Sequence, residues 1–156
     1  MVTNSIAQII VATALIHSPV LPDESFEDIM CLTEAIYFEA RDQDLTGMAA
    51  VALVTKNRVE RQYRGATYCE VIQAPYQYSY RNSVIPAVYI PNRDVPDADA
   101  LWWSVRLAVD VMNGDIPDFT MGSLHYFNPD KADPSWKHEA TMKTTIGDHK
   151  FLVGVR

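Results

Sequence analysis

Apolar positions along the chain keep helical spacing over most of its length and turn to short alternating runs only near the end. The first run is Ile6 to Ile16, eleven residues interrupted only by Gln8 and Thr13. Ile6, Ile9, Ile10, Thr13 and Ile16 fit one helical stripe, and His17-Ser18-Pro19 with Pro22 ends the run. The second element should span about 26–41, opened by Ser25 with Asp28 three residues later. Leu32, Ala35, Ile36 and Ala40 gather on one side of it, with Glu39 inside that stripe and Glu34 pointing the opposite way, into solvent. A polar turn, Asp42-Gln43-Asp44, leads to a helix over about 47–61 that is apolar nearly all round and therefore central. Thr67 and Glu70 form a capping box for a short helix through Gln73. Ala98, Leu101, Trp102, Val105, Ala108, Val109 and Met112 make another helix, stopped by Gly114, with Trp102 in the core. Stretches 123–127 and 150–155 read as short strands separated by polar turns. The fold class is thus α+β, predominantly helical, with a small antiparallel sheet near the C-terminus.

A chain of 156 residues fits one domain with a real core. We divide it into an apolar N-terminal segment, 1–22, and a body, 23–156. Residues 6–16 are too short to span a bilayer, which needs about 20 apolar residues. They have the length of a signal-peptide core, yet no Lys or Arg precedes Arg41, so a docked helix competes with export. The same run leaves open a transient association with a membrane or a virion. A net charge of -7 without a basic stripe argues against a nucleic-acid partner. Cys31 and Cys69 allow one bridge in an oxidising compartment and two thiols elsewhere, and both should lie close together beside the core.

The chemistry centres on Glu39. A carboxylate on the buried side of a helix is costly unless paired, hydrogen-bonded or protonated, and a carboxyl held protonated near neutral pH is what general-acid catalysis needs. The plainer alternative is a structural Glu satisfied by Arg41, Arg58 or backbone donors. Asn57 and Arg58 could orient Glu39, but structural hydrogen bonding is the commoner use of such groups. The region 74–96, rich in proline and tyrosine, is long enough to be functional, as a sugar-binding wall or as a cover for the core's edge. His125, His138 and His149 raise the question of zinc, but His138-Glu139 is followed by Met142 where H-e-x-x-H needs a histidine. Spacings of thirteen and eleven residues match no standard zinc motif.

Together these blocks resemble the spore-cortex-lytic and cell wall hydrolase family. The likeness begins with CLTEAIYFEAR and continues through Gly47, Ala50-Val51-Ala52, Asn57-Arg58-Val59, Cys69-Glu70-Val71-Ile72 and Gln77-Tyr78-Ser79. It ends with Gly114, Asp118, Thr120, Gly122, His125-Tyr126-Phe127, Pro134-Ser135-Trp136 and Ile146-Gly147-Asp148-His149-Lys150-Phe151. The resemblance implies a fold like lysozymes and lytic transglycosylases. It implies cleavage of the β-1,4 bond between N-acetylmuramic acid and N-acetylglucosamine in peptidoglycan glycan strands, with Glu39 as general acid and base. We expect substrate contacts from Gln77, Tyr78, Ser79, His125 and Tyr126 around Glu39, the plainer alternative being that His125 pins a strand to the core. The resemblance implies no metal and no organic cofactor, and action in the periplasm or cell wall after export, phage lysis or carriage in a virion. The sequence departs from the family where Asp42-Gln43-Asp44 lacks a glycine and where a proline-rich stretch follows Tyr78-Ser79. A zinc-dependent peptidoglycan amidase or peptidase, and a silent wall-binding or virion structural protein, are the competing classes.

Overall fold

The structure is a computed structural model that describes residues 6–75 and 97–156. Among the described residues five α-helices precede a small sheet: α1 (Ile6–Ile16), α2 (Phe26–Ala40), α3 (Leu45–Glu60), α4 (Tyr68–Gln73) and α5 (Ala98–Met112). The sheet comprises β1 (His125–Phe127), β2 (Met142–Ile146) and β3 (His149–Val153), with a short 3-10 turn at Ser135–Glu139. It is antiparallel throughout, in the order β1-β3-β2. The α+β, mostly helical architecture is the expected one.

The caps explain the boundaries. The Ser25 hydroxyl accepts the Asp28 N–H, the Asp44 carboxylate accepts the Gly47 N–H, and Thr67 with Glu70 makes the full capping box. Asp44 starts α3 two residues before the expected 47, because a side chain at 44 satisfies the first turn's amides. Asn113 closes α5, and Gly114 takes the left-handed conformation that follows, φ +76°.

α2 runs through the middle of the molecule, in contact with α3, α4 and α5. Its Ile29, Leu32, Ile36 and Ala40 share the main core with Met48, Ala49, Val51, Ala52 and Leu53 of α3 and Leu107, Ala108, Val109 and Val111 of α5. Cys31 joins Cys69 in a disulfide, with 5.3 Å between Cα atoms, so α2 and α4 are also tied covalently.

α1 packs against α2 and α5, but not through the stripe we expected. Ala7, Val11 and Ala14 are buried against Ala100, Leu101 and Val105 of α5 and Met30 and Tyr37 of α2, whereas Ile9 and Ile16 are exposed. Gln8 and Thr13 lie on the exposed side, and the small side chains of Ala7 and Ala14 on the other let the helix approach its neighbours. Arg106 donates to the His17 carbonyl (2.9 Å) and Asn113 to the Val20 carbonyl (2.9 Å), which fastens the segment leaving α1. Among the described residues no helix is long and apolar enough to cross a membrane.

β2 lies where we expected only polar turns. It is an edge strand, its Met142, Lys143 and Thr145 exposed, so no apolar alternation marks it. The β2–β3 hairpin turns at Gly147-Asp148, with Gly147 at φ +57°. A Cβ there would come within 2.5 Å of Gln43 Oε1. Gln43 in turn holds Asp148 twice, donating from Nε2 to the carboxylate (3.0 Å) and accepting the Asp148 N–H (3.0 Å). The loop after α2 is thereby fixed to the hairpin.

Candidate active site

Glu39 sits in the last turn of α2, half-buried, just before the loop that Gln43 fastens to the sheet. The Tyr126 hydroxyl donates to Glu39 Oε2 at 3.3 Å. Tyr126 comes from β1 and points to the helix side of the sheet, as do its cross-strand partner Phe151 and, beyond it, Thr144. Its ring stacks on the fully buried Phe151 (5.5 Å between centroids, 27° between planes) and meets His149 edge-on (5.4 Å, 81°). Phe151 rests on Ala50 and Val54 of α3, so the sheet side of the site is seated on the helical core.

Glu34 is corrected by the structure. It is not solvated but fully buried, 0% exposed, while Glu39 is the carboxylate nearer the surface. Only a helix with one wet face would put Glu34 in water. With α3, α4 and α5 packed around the helix and α1 against its Met30 and Tyr37, its middle has no wet face.

His125 is placed differently from the expected shell around Glu39. It neighbours Tyr126 in β1, so the two side chains leave opposite faces. His125 Nε2 lies 3.1 Å from the Tyr63 hydroxyl, and its ring packs near Trp136 (5.2 Å). Burial, then the nearby Arg58 and Arg64, push its pKa down to about 4 against a small opposing pull from Glu139. An unfolded chain takes up a proton on this imidazole near its ordinary 6.5, which the folded chain resists until about 4. Stability should therefore fall as pH drops below about 6.5 and level off below 4, by about 1–2 kcal/mol once solvent screening is allowed for. Urea melts at pH 7 and pH 4 test this, and His125→Gln should shrink the difference.

Asn57 donates to the Asp118 carboxylate (2.9 Å) and the Ser123 carbonyl (3.1 Å), and Arg58 Nε to the Leu124 carbonyl (2.8 Å). Both thus hold the 118–124 loop in place. Asp118 also accepts the Thr120 and Gly122 N–H groups and the Thr120 hydroxyl, bonds that lower its pKa against the opposing effect of burial. Asp42 is exposed, and Asp44 is spent on its cap. The histidines do not converge on a zinc site: His125 and His149 face opposite sides of the sheet and His138 is exposed on the 3-10 turn. Gln77, Tyr78 and Ser79 lie outside the described residues. Sequence reasoning did not place His149 beside Tyr126 or join Gln43 to Asp148; two-residue spacing from Phe151 was the available signal for His149.

This helical body with its three-stranded sheet is that of a known class of wall-degrading proteins. The Cell Wall Hydrolase family profile matches residues 42–152, and the chain belongs to that family. The match begins three residues after Glu39. Spore cortex-lytic enzymes of Halalkalibacterium halodurans and Bacillus subtilis are 31% and 30% identical over 81% of this chain. The chain spans only 35% and 38% of their lengths. The catalytic domain of Bacillus cereus SleB superposes with a TM-score of 0.67 at 30% identity, over 85% of this chain and 95% of that one. The catalytic domain of the germination-specific lytic transglycosylase SleB from Bacillus anthracis gives 0.69 at 30% identity, over 86% and 100%.

Proposed function

We propose that this chain cleaves the β-1,4 bond between N-acetylmuramic acid and N-acetylglucosamine in peptidoglycan, as a lytic transglycosylase with Glu39 as acid and base. The observation that carries the reading is a half-buried Glu39, held by the Tyr126 hydroxyl, on the scaffold of a lytic transglycosylase catalytic domain. Most glycosidases need two carboxylates at a set separation. One is enough when the sugar supplies its own nucleophile. The Glu39 carboxyl gives its proton to the glycosidic oxygen as the C1–O bond breaks, which frees the N-acetylglucosamine 4-hydroxyl. The resulting carboxylate takes the proton of the muramoyl 6-hydroxyl as O6 bonds to C1. The acid is restored, and the product is a 1,6-anhydro sugar with no water consumed.

In this reading Tyr126 orients the carboxyl, and the 77–79 segment contacts the glycan. His125, on the opposite face of β1, contributes to binding only at a distance from the scissile bond. The Cys31–Cys69 bridge fits a protein that works outside the reducing cytoplasm. Mass spectrometry of digested peptidoglycan is the test. Anhydro-muramoyl ends are expected; ends carrying one more water would mean muramidase-type hydrolysis, and released stem peptides would mean an amidase or peptidase. Tyr126→Phe removes one hydrogen bond to the reacting carboxyl and should lower kcat about tenfold, read from the rate of reducing-end or anhydro-end release.

A further inference from the structure

We propose that His149 is a positioning residue of this site: as a neutral ring it fixes Tyr126 so that the phenol stays on Glu39. The inference rests on the reading of Glu39 given above. His149 opens β3, two residues before Phe151, and therefore shares the face from which Phe151 and Tyr126 project. Tyr126 pairs directly with Phe151, which puts His149 at the diagonal position, within reach of a large ring. Two rings then bear on Tyr126 from different directions, Phe151 almost parallel and His149 almost perpendicular. The first sets the plane of the phenol, the second its tilt. At 3.3 Å the Tyr126–Glu39 hydrogen bond is already long, so a shift of about 1 Å in the phenol would break it.

The seat is built for an uncharged imidazole. His149 is only 7% exposed, and its buried Nδ1 has no hydrogen-bond partner among the described residues. Imidazolium needs an acceptor at both nitrogens, and the described residues offer Nδ1 none. The neutral form, with its proton on Nε2, leaves only a lone pair unmatched. Among the described residues, the charged groups acting on the ring are Asp42 from the loop after α2, Asp148 from the hairpin turn and Lys131 from the loop after β1. The two carboxylates favour the charged ring and Lys131 opposes it, while burial outweighs them and lowers the pKa. α3 packs Ala50 and Val54, both apolar, against Phe151 on this face. Protonation would therefore drive the ring from its place and release Tyr126. A phenylalanine would pack as well for stability alone, without an orphaned nitrogen, but would not titrate.

The experiment follows the rate on purified peptidoglycan against pH for the wild type, His149→Ala, His149→Phe and Glu39→Gln, with melting temperatures for each. His149→Ala should lower kcat about tenfold with little change in KM, and His149→Phe should recover most of that loss at neutral pH. The acid limb of the profile should lose one titration in His149→Phe. A folded His149→Ala with the wild-type rate overturns the inference, as does a His149→Phe profile identical to the wild type. Failure of both variants to fold would make His149 a core residue only, which also overturns it. An active Glu39→Gln would instead bring down the reading of Glu39 itself; an inactive one beside wild-type-like His149 variants brings down this inference alone.

Discussion

Glu39→Gln is expected to fold, to bind glycan strands, and to lose at least about a hundredfold in activity. The substitution keeps the size of the side chain and an oxygen for the Tyr126 hydroxyl while removing the transferable proton. Loss of general acid–base catalysis alone is typically worth 10²–10⁴-fold. In the proposed reaction the same group acts in both halves, so no second carboxyl takes over. Glu34→Gln is the necessary contrast, because Glu34 lies five residues earlier in the same helix and is the more deeply buried of the two. A group with no exposed surface touches no polysaccharide, so its replacement should register in the melting temperature and leave the rate per folded molecule within a few-fold. Zymography with peptidoglycan, combined with thermal melts, separates the two. A Glu39→Gln protein with wild-type activity would make Glu39 structural.

The second large effect concerns the Cys31–Cys69 bridge. It closes a loop with a sequence separation of 38, which in the chain-entropy view stabilises the fold by about 4 kcal/mol at 25 °C. For a chain of this size that is roughly 10 °C in melting temperature. The double change Cys31→Ser with Cys69→Ser should show that drop, and reduction of the wild type should reproduce it. The helices should stay in place locally, since the Asp28 carboxylate still accepts the Cys69 N–H (3.0 Å) and Val71 and Ile72 still pack on Ala35. A melting temperature unchanged by either treatment would show the bridge to be energetically idle.

The helices were legible because their ends are written in side chains. Ser25, Asp44, Thr67 and Asp97 each accept a first-turn amide, and such caps depend on neighbours within a few residues. What depended on distant partners was not legible. Glu34 was misplaced because α2 is enclosed by helices that one strip of sequence does not reveal. β2 was missed because an exposed edge strand has no face to hide. The opposite facing of His125 and Tyr126 follows from strand alternation and was available in principle. The meeting of Tyr126 with Glu39, and of Gln43 with Asp148 across 105 residues, required the fold.

α1 bears on how the protein can be handled. Its Ala7, Val11 and Ala14 roof over Leu101, Val105 and Tyr37, which would otherwise face water. A version trimmed to the conventional start of a mature secreted chain, beyond residue 22, would lose that roof together with the carbonyls of His17 and Val20 that Arg106 and Asn113 hold. Such a product would carry a bare apolar strip along α5 and should self-associate, so recombinant work is better begun upstream of Ile6 than downstream of Pro22.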